Sequence, residues 1–136
     1  MPADTAELAI AAGCEAGTVL VVEDEVLVRL LVAEHLRDCG YRVIEATAAA
    51  EAVAVLQAGV PVDILFSDVQ MPGAVDGFAL ARWVRQHQPR VRVILTSGHA
   101  AVAVKCNDLC VAGGFLPKPY DPARLVAEIR RLLAGH

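Results

Sequence analysis

The sequence lacks a paired-cysteine motif. Its four cysteines are Cys14, Cys39, Cys106 and Cys110, and no two of them are separated by only two residues, as in zinc or redox motifs. Cys106 and Cys110 lie four apart on one face of a predicted helix, but no histidine pair completes a metal site. We interpret the cysteines as small buried side chains, and unpaired thiols are typical of a reducing cytoplasm.

The sequence also lacks a basic excess, a cationic leader and a membrane-spanning run. Twelve Lys and Arg residues against 16 Asp and Glu residues give a net charge of -4, which argues against a nucleic-acid partner. Residues 1–17 contain no Lys or Arg, so the start of a signal peptide is missing. Uncharged runs are too short or too interrupted to span a bilayer. We expect a cytoplasmic protein that binds neither nucleic acid nor membrane.

The apolar content is sufficient for one folded domain. Of 136 residues, 56% are hydrophobic and 21% are charged, which is typical of a globular chain with a sizeable core. We expect residues 18–136 to form a single domain. Residues 1–17 are expected to be either a short helix or a frayed tail, because chain termini are often poorly ordered.

Short β-rich runs alternate with helix-like segments along the chain. Strands are predicted at Thr18–Val22, 41–45, 62–67, 91–96 and Gly114–Pro117, and helices at about 25–39, 48–59, 77–88, 100–112 and 121–134. Thr47 is a good N-cap for the second helix, and Asp121 followed by Pro122 predicts the start of the last. The alternation indicates an α/β domain with a parallel sheet covered on both faces.

Polar residues follow the apolar strands at their carboxyl ends, where open α/β sheets place their chemistry. They are Glu23, Asp24, Asp68, Thr96 and Lys118. Clustered carboxylates need a cation or a shared proton to coexist, and their hard oxygens suit Mg²⁺. A hydroxyl and an ammonium suit the oxygens of a phosphoryl group. The acid after the third strand is a candidate nucleophile, because carboxylates form aspartyl phosphates. Ser97, the residue after the threonine, is expected to lie in the loop.

Four motifs together resemble the response-regulator receiver domain of two-component signalling. They are Val-Val-Glu-Asp-Glu, Phe-Ser-Asp-Val-Gln-Met-Pro-Gly, Ile-Leu-Thr-Ser-Gly and Leu-Pro-Lys-Pro-Tyr, and the resemblance covers roughly residues 18–134. It implies a flavodoxin-like (βα)5 fold, a doubly wound five-stranded parallel sheet of order 2-1-3-4-5. The fifth strand would then be an edge strand, where the missing N–H of Pro117 is tolerated.

The resemblance implies a metal site around a phosphoacceptor. Asp68 matches the phosphoacceptor and is also a metal ligand, and Asp24 matches the acid that binds Mg²⁺ directly. Glu23 would act through a metal-bound water, and the backbone carbonyl of Gln70 would be a further ligand. The implied function is a switch without a turnover reaction. It takes its phosphoryl group from a histidine kinase or a phosphotransfer protein and loses it by self-dephosphorylation.

The resemblance also implies how the switch is read. Thr96 and Lys118 would contact the phosphoryl group, and Lys118–Pro119 is a candidate cis peptide. Movement of Thr96 would let Phe115, at the family's aromatic switch position, turn inward. The face formed by the predicted helix 100–112, the fifth strand and the last helix would then change shape. Through this face the protein would bind a downstream target or form a homodimer.

Other classes of function remain open. One is a phosphorylation-independent interaction module on the same fold, against which the intact set of acids argues. A phosphohydrolase of the haloacid dehalogenase type would need an Asp-x-Asp pair after the first strand, where this chain has Glu23, Asp24 and Glu25. The sequence could also be the receiver fragment of a hybrid kinase, but Met1 favours a stand-alone receiver.

Overall fold

The structure is a computed structural model that describes residues 17–71, 73, 75–98 and 114–135. Its strands are β1 (Thr18–Val22), β2 (Arg42–Ala46), β3 (Ile64–Asp68), β4 (Arg92–Ser97) and β5 (Gly114–Pro117). Its helices are α1 (Val26–Asp38), α2 (Ala49–Gln57), α3 (Gly77–His87) and α4 (Pro122–Ala134). The predictions for residues 1–16, for the helix 100–112 and for Cys14, Cys106 and Cys110 lie outside the described residues.

The five strands form one parallel sheet in the order β2-β1-β3-β4-β5, which confirms the predicted topology. Val22 pairs in register with Ser67, and Asp68 pairs with Thr96. The carboxyl ends of β1, β3 and β4 are therefore level with one another. Among the described residues, β5 pairs with β4 alone, so Pro117 lies on an edge strand, where its missing N–H is tolerated.

On one face of the sheet, the side chains in the middle of the strands form a core, and those at the carboxyl ends are polar. On this face, the strands contribute buried residues to a single cluster: Val19, Val21, Ile64, Phe66, Ile94 and Leu116. Side chains of a strand alternate between the two faces. The next residues on that same side are, strand by strand, Glu23, Asp68, Thr96 and Lys118. The pattern that buries the core thus directs four polar side chains to one place.

Helices cover both faces of the sheet. α1 and α4 pack on the face just described, mainly through Val32, Leu36, Leu125 and Ile129. α2 and α3 pack on the other face, so the fold is doubly wound. No helix within the described ranges has both the length and the apolar character that crossing a membrane demands.

The helix starts confirm one sequence prediction and correct another. Asp121 caps α4 by accepting a hydrogen bond from the N–H of Ala123 at 2.9 Å, with Pro122 in the first turn. The N-cap of α2 is Ala48, so the prediction of Thr47 as the cap was wrong. Both the N–H and the hydroxyl of Thr47 donate to the Glu51 carboxylate. The Thr47 hydroxyl is therefore directed to a side chain of the first turn of the helix.

Gly77 allows α3 to begin directly against the strand that carries Asp68. Its N–H donates to the carbonyl of Val69 at 2.9 Å. A Cβ at this position would collide with the carbonyl oxygen of Asp68 and lie 2.7 Å from the Cα of Val69. Since both groups are backbone, a larger residue would displace the end of β3 and the carboxylate with it. Glycine is therefore required here for close approach.

Candidate functional site

Three carboxylates meet at the carboxyl edge of the sheet. Oxygen atoms of Glu23, Asp24 and Asp68 all lie within 4.8 Å of one another. Glu23 is 4% exposed and Asp68 is 6% exposed, while Asp24 faces solvent. Like charges so close need a shared proton or a cation between them, and a donor set made only of oxygen suits a hard divalent ion. The cluster has the composition and spacing to hold a metal ion.

Lys118 supplies a positive charge next to Asp68 and Glu23. Its Nζ donates to Oδ2 of Asp68 at 2.6 Å and lies 3.9 Å from Oε1 of Glu23. Burial lowers the pKa of Lys118, but the hydrogen bond and the negative charges of Asp68 and Glu23 raise it, and the net shift is upward. The amine is therefore held as an ammonium. The peptide bond between Lys118 and Pro119 is cis.

Burial makes Glu23 hold its proton more tightly than a free glutamate. Desolvation raises the pKa of its carboxyl, and the charge of Asp68 adds to this. The N–H of Glu25, which donates to Oε2 of Glu23 at 3.1 Å, and the charge of Lys118 lower the pKa by less. A cation in the cluster would oppose the upward shift, because it favours the ionised carboxylate.

The Asp68 carboxylate is held through both of its oxygens. Oδ2 is the acceptor for Lys118, and Oδ1 accepts from the N–H of Gln70 at 3.1 Å. The Gln70 side chain is held in turn by Ser97, whose hydroxyl donates to Oε1 of Gln70 at 2.9 Å. Ser97 is the buried last residue of β4, so the prediction that it lies in the loop was wrong.

Thr96 lies opposite Asp68 in the sheet, but its hydroxyl is engaged elsewhere. The residue is buried, and its Oγ1 donates to the carbonyl of Leu116 in β5 at 2.6 Å. Phe115, the preceding residue of β5, is half-buried and packs against a cluster containing Phe78 on the other face of the sheet. Thr96 thus holds β5 one residue away from the predicted aromatic switch.

Tyr120 belongs to the site, although no role was predicted for it from the sequence. Its ring packs edge to face on Phe66 with the centroids 5.6 Å apart. Burial, together with the charges of Glu23 and Asp68, raises the pKa of its phenol. The signal that could have found it is its place two residues after Lys118, at the end of the same motif.

An apolar surface borders the site on the side of α1. Its residues are Val26, Leu27, Leu30 and Leu31, all exposed, with Leu27 at 76%. Between this surface and the site lies a cavity of about 340 Å³, lined by Lys118 and Tyr120 as well as by Leu31. We call these four residues the α1 apolar surface.

Replacement of Lys118 by Met is expected to destabilise the protein in a pH-dependent way. Because the folded pKa of Lys118 lies above 10.5, its contribution is fully present below pH 10.5 and is lost as the pH rises through the folded pKa. A hydrogen bond to a charged group contributes about 1.5–3 kcal/mol, and partial exposure reduces this to about 1–2 kcal/mol.

Urea denaturation of the wild type and Lys118→Met at about pH 8 and about pH 11 measures this difference on either side of the lysine titration range. The difference in the free energy of unfolding should shrink at the higher pH. Lys118→Arg should resemble the wild type at about pH 8 and keep its advantage over Lys118→Met at about pH 11, because a guanidinium stays protonated there. A difference that is the same at both pH values would contradict a contribution from the charged amine.

The order of the strands and the order of the motifs agree with known proteins. Residues 19–130 match the response regulator receiver domain family. The structure of a response regulator receiver protein from Sinorhizobium medicae WSM419 is similar, with a TM-score of 0.80 and 29% identity, over 88% of this chain and 96% of that one. The motif pattern and the fold of the described residues are therefore those of a receiver domain.

Curated relatives are longer proteins. The chain is 40% identical over 118 residues to the sensor kinase CckA of Brucella abortus strain 2308, a match that covers 85% of this chain and 12% of the kinase. It is 32% identical over 124 residues to the DNA-binding transcriptional regulator NtrC of Escherichia coli K12, covering 88% of this chain and 25% of the regulator. The chain thus spans only a small part of either relative.

What these proteins share with the chain is the receiver segment. In this chain, the carboxyl edge of the receiver sheet carries the acidic cluster, the lysine and the threonine described above. The chain belongs to the response regulator receiver domain family, whose members are phosphorylation-dependent signalling switches rather than turnover enzymes.

Proposed function

We propose that Asp68 accepts a phosphoryl group from the phosphohistidine of a histidine kinase or a phosphotransfer protein. The observation that carries this proposal is the environment of its carboxylate. The group is 6% exposed, shares the acidic cluster with Glu23 and Asp24, and accepts a hydrogen bond from Lys118 at 2.6 Å. Of these three acids, Asp68 is the one that accepts a hydrogen bond from Lys118, whose Nζ lies 3.9 Å from Glu23.

In the proposed transfer, an oxygen of Asp68 attacks phosphorus and forms an O–P bond. The N–P bond of the donor breaks, and its electron pair leaves on the imidazole. Such transfers depend on positioning and on charge stabilisation, and Lys118 is placed to provide both. Reset follows by self-dephosphorylation, in which water attacks the acyl phosphate and the Asp68 carboxylate leaves.

The metal proposed for the cluster is Mg²⁺. Asp24, Asp68 and the backbone carbonyl of Gln70 would hold it directly, and Glu23 through a bound water. The ion would offset part of the roughly two negative charges of a phosphoryl group. Oxygen donors and an exposed carboxylate at the rim suit an ion that keeps several of its waters.

Labelling with a small phosphodonor tests the phosphoacceptor. Incubation with acetyl phosphate and Mg²⁺ should give one phosphoryl adduct on Asp68, detected by intact-mass and peptide mass spectrometry. The adduct should be lost in Asp68→Asn, which keeps the shape of the side chain but removes the nucleophilic carboxylate. Asp38→Asn, a matched change of an exposed acid at the end of α1, should be labelled like the wild type.

Two results would overturn this assignment. One is an adduct on another residue, and the other is no adduct with several small donors in the presence of Mg²⁺. Labelling without added metal and in the presence of a chelator would contradict the metal site but not the assignment of Asp68 as the nucleophile.

We further propose that the donor protein docks on the α1 apolar surface. Its phosphohistidine has to reach Asp68, and one cavity is lined both by Leu31 of that surface and by Lys118, which donates to Asp68. Four exposed aliphatic side chains in the first two turns of a helix form a patch of the kind that marks protein interfaces. A docked donor would also exclude water from the transfer.

Charge placed on this surface should separate protein donors from small ones. Leu27→Asp should still be labelled by acetyl phosphate. Its rate of transfer from a histidine-phosphorylated phosphotransfer protein should fall at least about tenfold, which corresponds to about 1.4 kcal/mol. The donor is chosen from a panel for its ability to label the wild type. Val60→Asp, which places a charge at another exposed aliphatic position, is the control. Equal transfer to Leu27→Asp and the wild type would refute the docking site.

The proposed read-out begins with an exchange of acceptors by Thr96. Its hydroxyl donates to the Leu116 carbonyl and would leave it for a phosphoryl oxygen. A neutral hydrogen bond contributes about 0.5–1.5 kcal/mol and one to a charged acceptor about 1.5–3 kcal/mol, so the exchange is favourable. Release of Leu116 frees β5, and Phe115 then turns inward. The surface of β5 and α4, with the predicted helix 100–112, would present this change to a target or to a second copy.

Thr96→Val keeps the shape of the side chain and removes the hydroxyl, so it should uncouple labelling from the read-out. Beryllium fluoride with Mg²⁺ serves as a lasting phosphoryl analogue. In the wild type it should shift the aromatic NMR resonances of Phe115, and in Thr96→Val this shift should be much smaller. Thr96→Ser should behave like the wild type. A full Phe115 response in Thr96→Val would disprove the coupling, and a rise in molar mass by light scattering would identify the dimer.

A further inference from the structure

A charged triad ties α1 to β2 beside the acidic cluster. Nε of Arg29 lies 3.2 Å from Oε1 of Glu45, and Nη2 of Arg37 lies 3.2 Å from Oε2 of the same carboxylate. The Arg29 side chain is only 12% exposed, whereas that of Arg37 is 49% exposed. Both arginines therefore share one acid, but only Arg29 is enclosed by the fold.

Arg29 makes a second contact, to the backbone of the acidic turn. Its Nη1 donates to the main-chain carbonyl of Glu23 at 2.9 Å. The N–H of Glu23 donates to the carbonyl of Ala46 at 3.0 Å, and its carboxylate accepts from the N–H of Glu25. Glu23 is thus held at its N–H, its carbonyl and its side chain, and Arg29 provides the hold on the carbonyl.

The Glu23 carbonyl belongs to the peptide unit that leads into Asp24. Because a peptide unit is planar, a fixed carbonyl direction fixes the plane from which the Asp24 Cα departs. Glu45 in turn holds the guanidinium that fixes the carbonyl. The planar fork of an arginine can serve both partners at once, and a lysine has no such geometry.

We infer that Arg29, held by Glu45, is a positioning residue for the acidic cluster. It orients the turn that carries Glu23 and Asp24 and so sets the affinity of the cluster for a divalent cation. The inference rests on the proposed Mg²⁺ site. Replacement of residues that orient metal ligands without binding the metal themselves commonly changes the metal affinity by about 10–100-fold.

A positioning role and a purely electrostatic role predict opposite signs. The Arg29 guanidinium is a positive charge near the cluster and repels a divalent cation. If charge were its only effect, Arg29→Gln would bind Mg²⁺ more tightly than the wild type. If Arg29 orients the ligands, the same variant binds Mg²⁺ more weakly, despite the loss of the repulsion.

Isothermal titration calorimetry with MgCl₂ on the full chain measures the effect without any phosphodonor. Arg29→Gln should weaken Mg²⁺ binding by about tenfold. Glu45→Gln should weaken it in the same direction, and the double variant should be no weaker than Arg29→Gln alone, because both changes break one chain of contacts. Arg37→Gln is the matched control and should stay close to the wild type, since Arg37 shares Glu45 but does not contact Glu23.

Arg29→Lys provides a second reading and is used in place of Arg29→Gln should that variant not fold by circular dichroism. It keeps the charge, and weaker binding by this variant supports positioning by the fork. Unchanged or tighter Mg²⁺ binding in folded Arg29→Gln or Arg29→Lys overturns the inference while the metal site stands. Absence of Mg²⁺ binding in the wild type overturns both the metal site and the role of Arg29.

Discussion

Repulsion among the carboxylates of Glu23, Asp24 and Asp68 is the constraint on which the rest of the site depends. Their oxygens lie within 4.8 Å of one another, and two of the side chains are buried, where water screens charge poorly. The nearby Lys118 ammonium offsets one of the three negative charges. The remaining excess has to be met by a proton or a cation. Burial raises the pKa of the Glu23 carboxyl, and the charge of Asp68 adds to the shift, so Glu23 is disposed to take a proton.

The location of the site could be predicted from the sequence, because it follows from the period of a β-strand. A run such as Ile64, Leu65, Phe66, Ser67, Asp68 places alternate residues on one face, and parallel strands bring their carboxyl ends to one edge. The acids and the lysine therefore meet once the strands are in register. The strand order came from the family resemblance, since alternation alone is compatible with several orders.

The hydrogen-bond partners of short polar side chains could not be predicted, because tertiary neighbours decide them. Thr96 donates across the sheet to Leu116, and Ser97 donates to Gln70, a residue 27 positions away. Thr47 is preferred at N-caps, yet here Glu51 accepts both of its donors. In the sequence, nothing distinguishes Arg29 from the other charged residues of the helices. Its contact with the Glu23 carbonyl depends on how α1 packs against β1 and β2.

The free energy gained when Thr96 exchanges its hydrogen-bond acceptor is too small to operate the proposed switch alone. Moving a two-state equilibrium from 1:99 to 99:1 takes about 5.5 kcal/mol, and replacing a neutral acceptor by a charged one contributes about 1–2 kcal/mol. Most of the free energy that drives the switch has to come from the group that is surrounded by the most uncompensated charge. That group is Asp68, whose proposed phosphorylation would add negative charge to a cluster already short of positive charge. In the proposed switch, the arrangement of Lys118 and the cation would therefore supply most of the free energy, and Thr96 would transmit the change to β5.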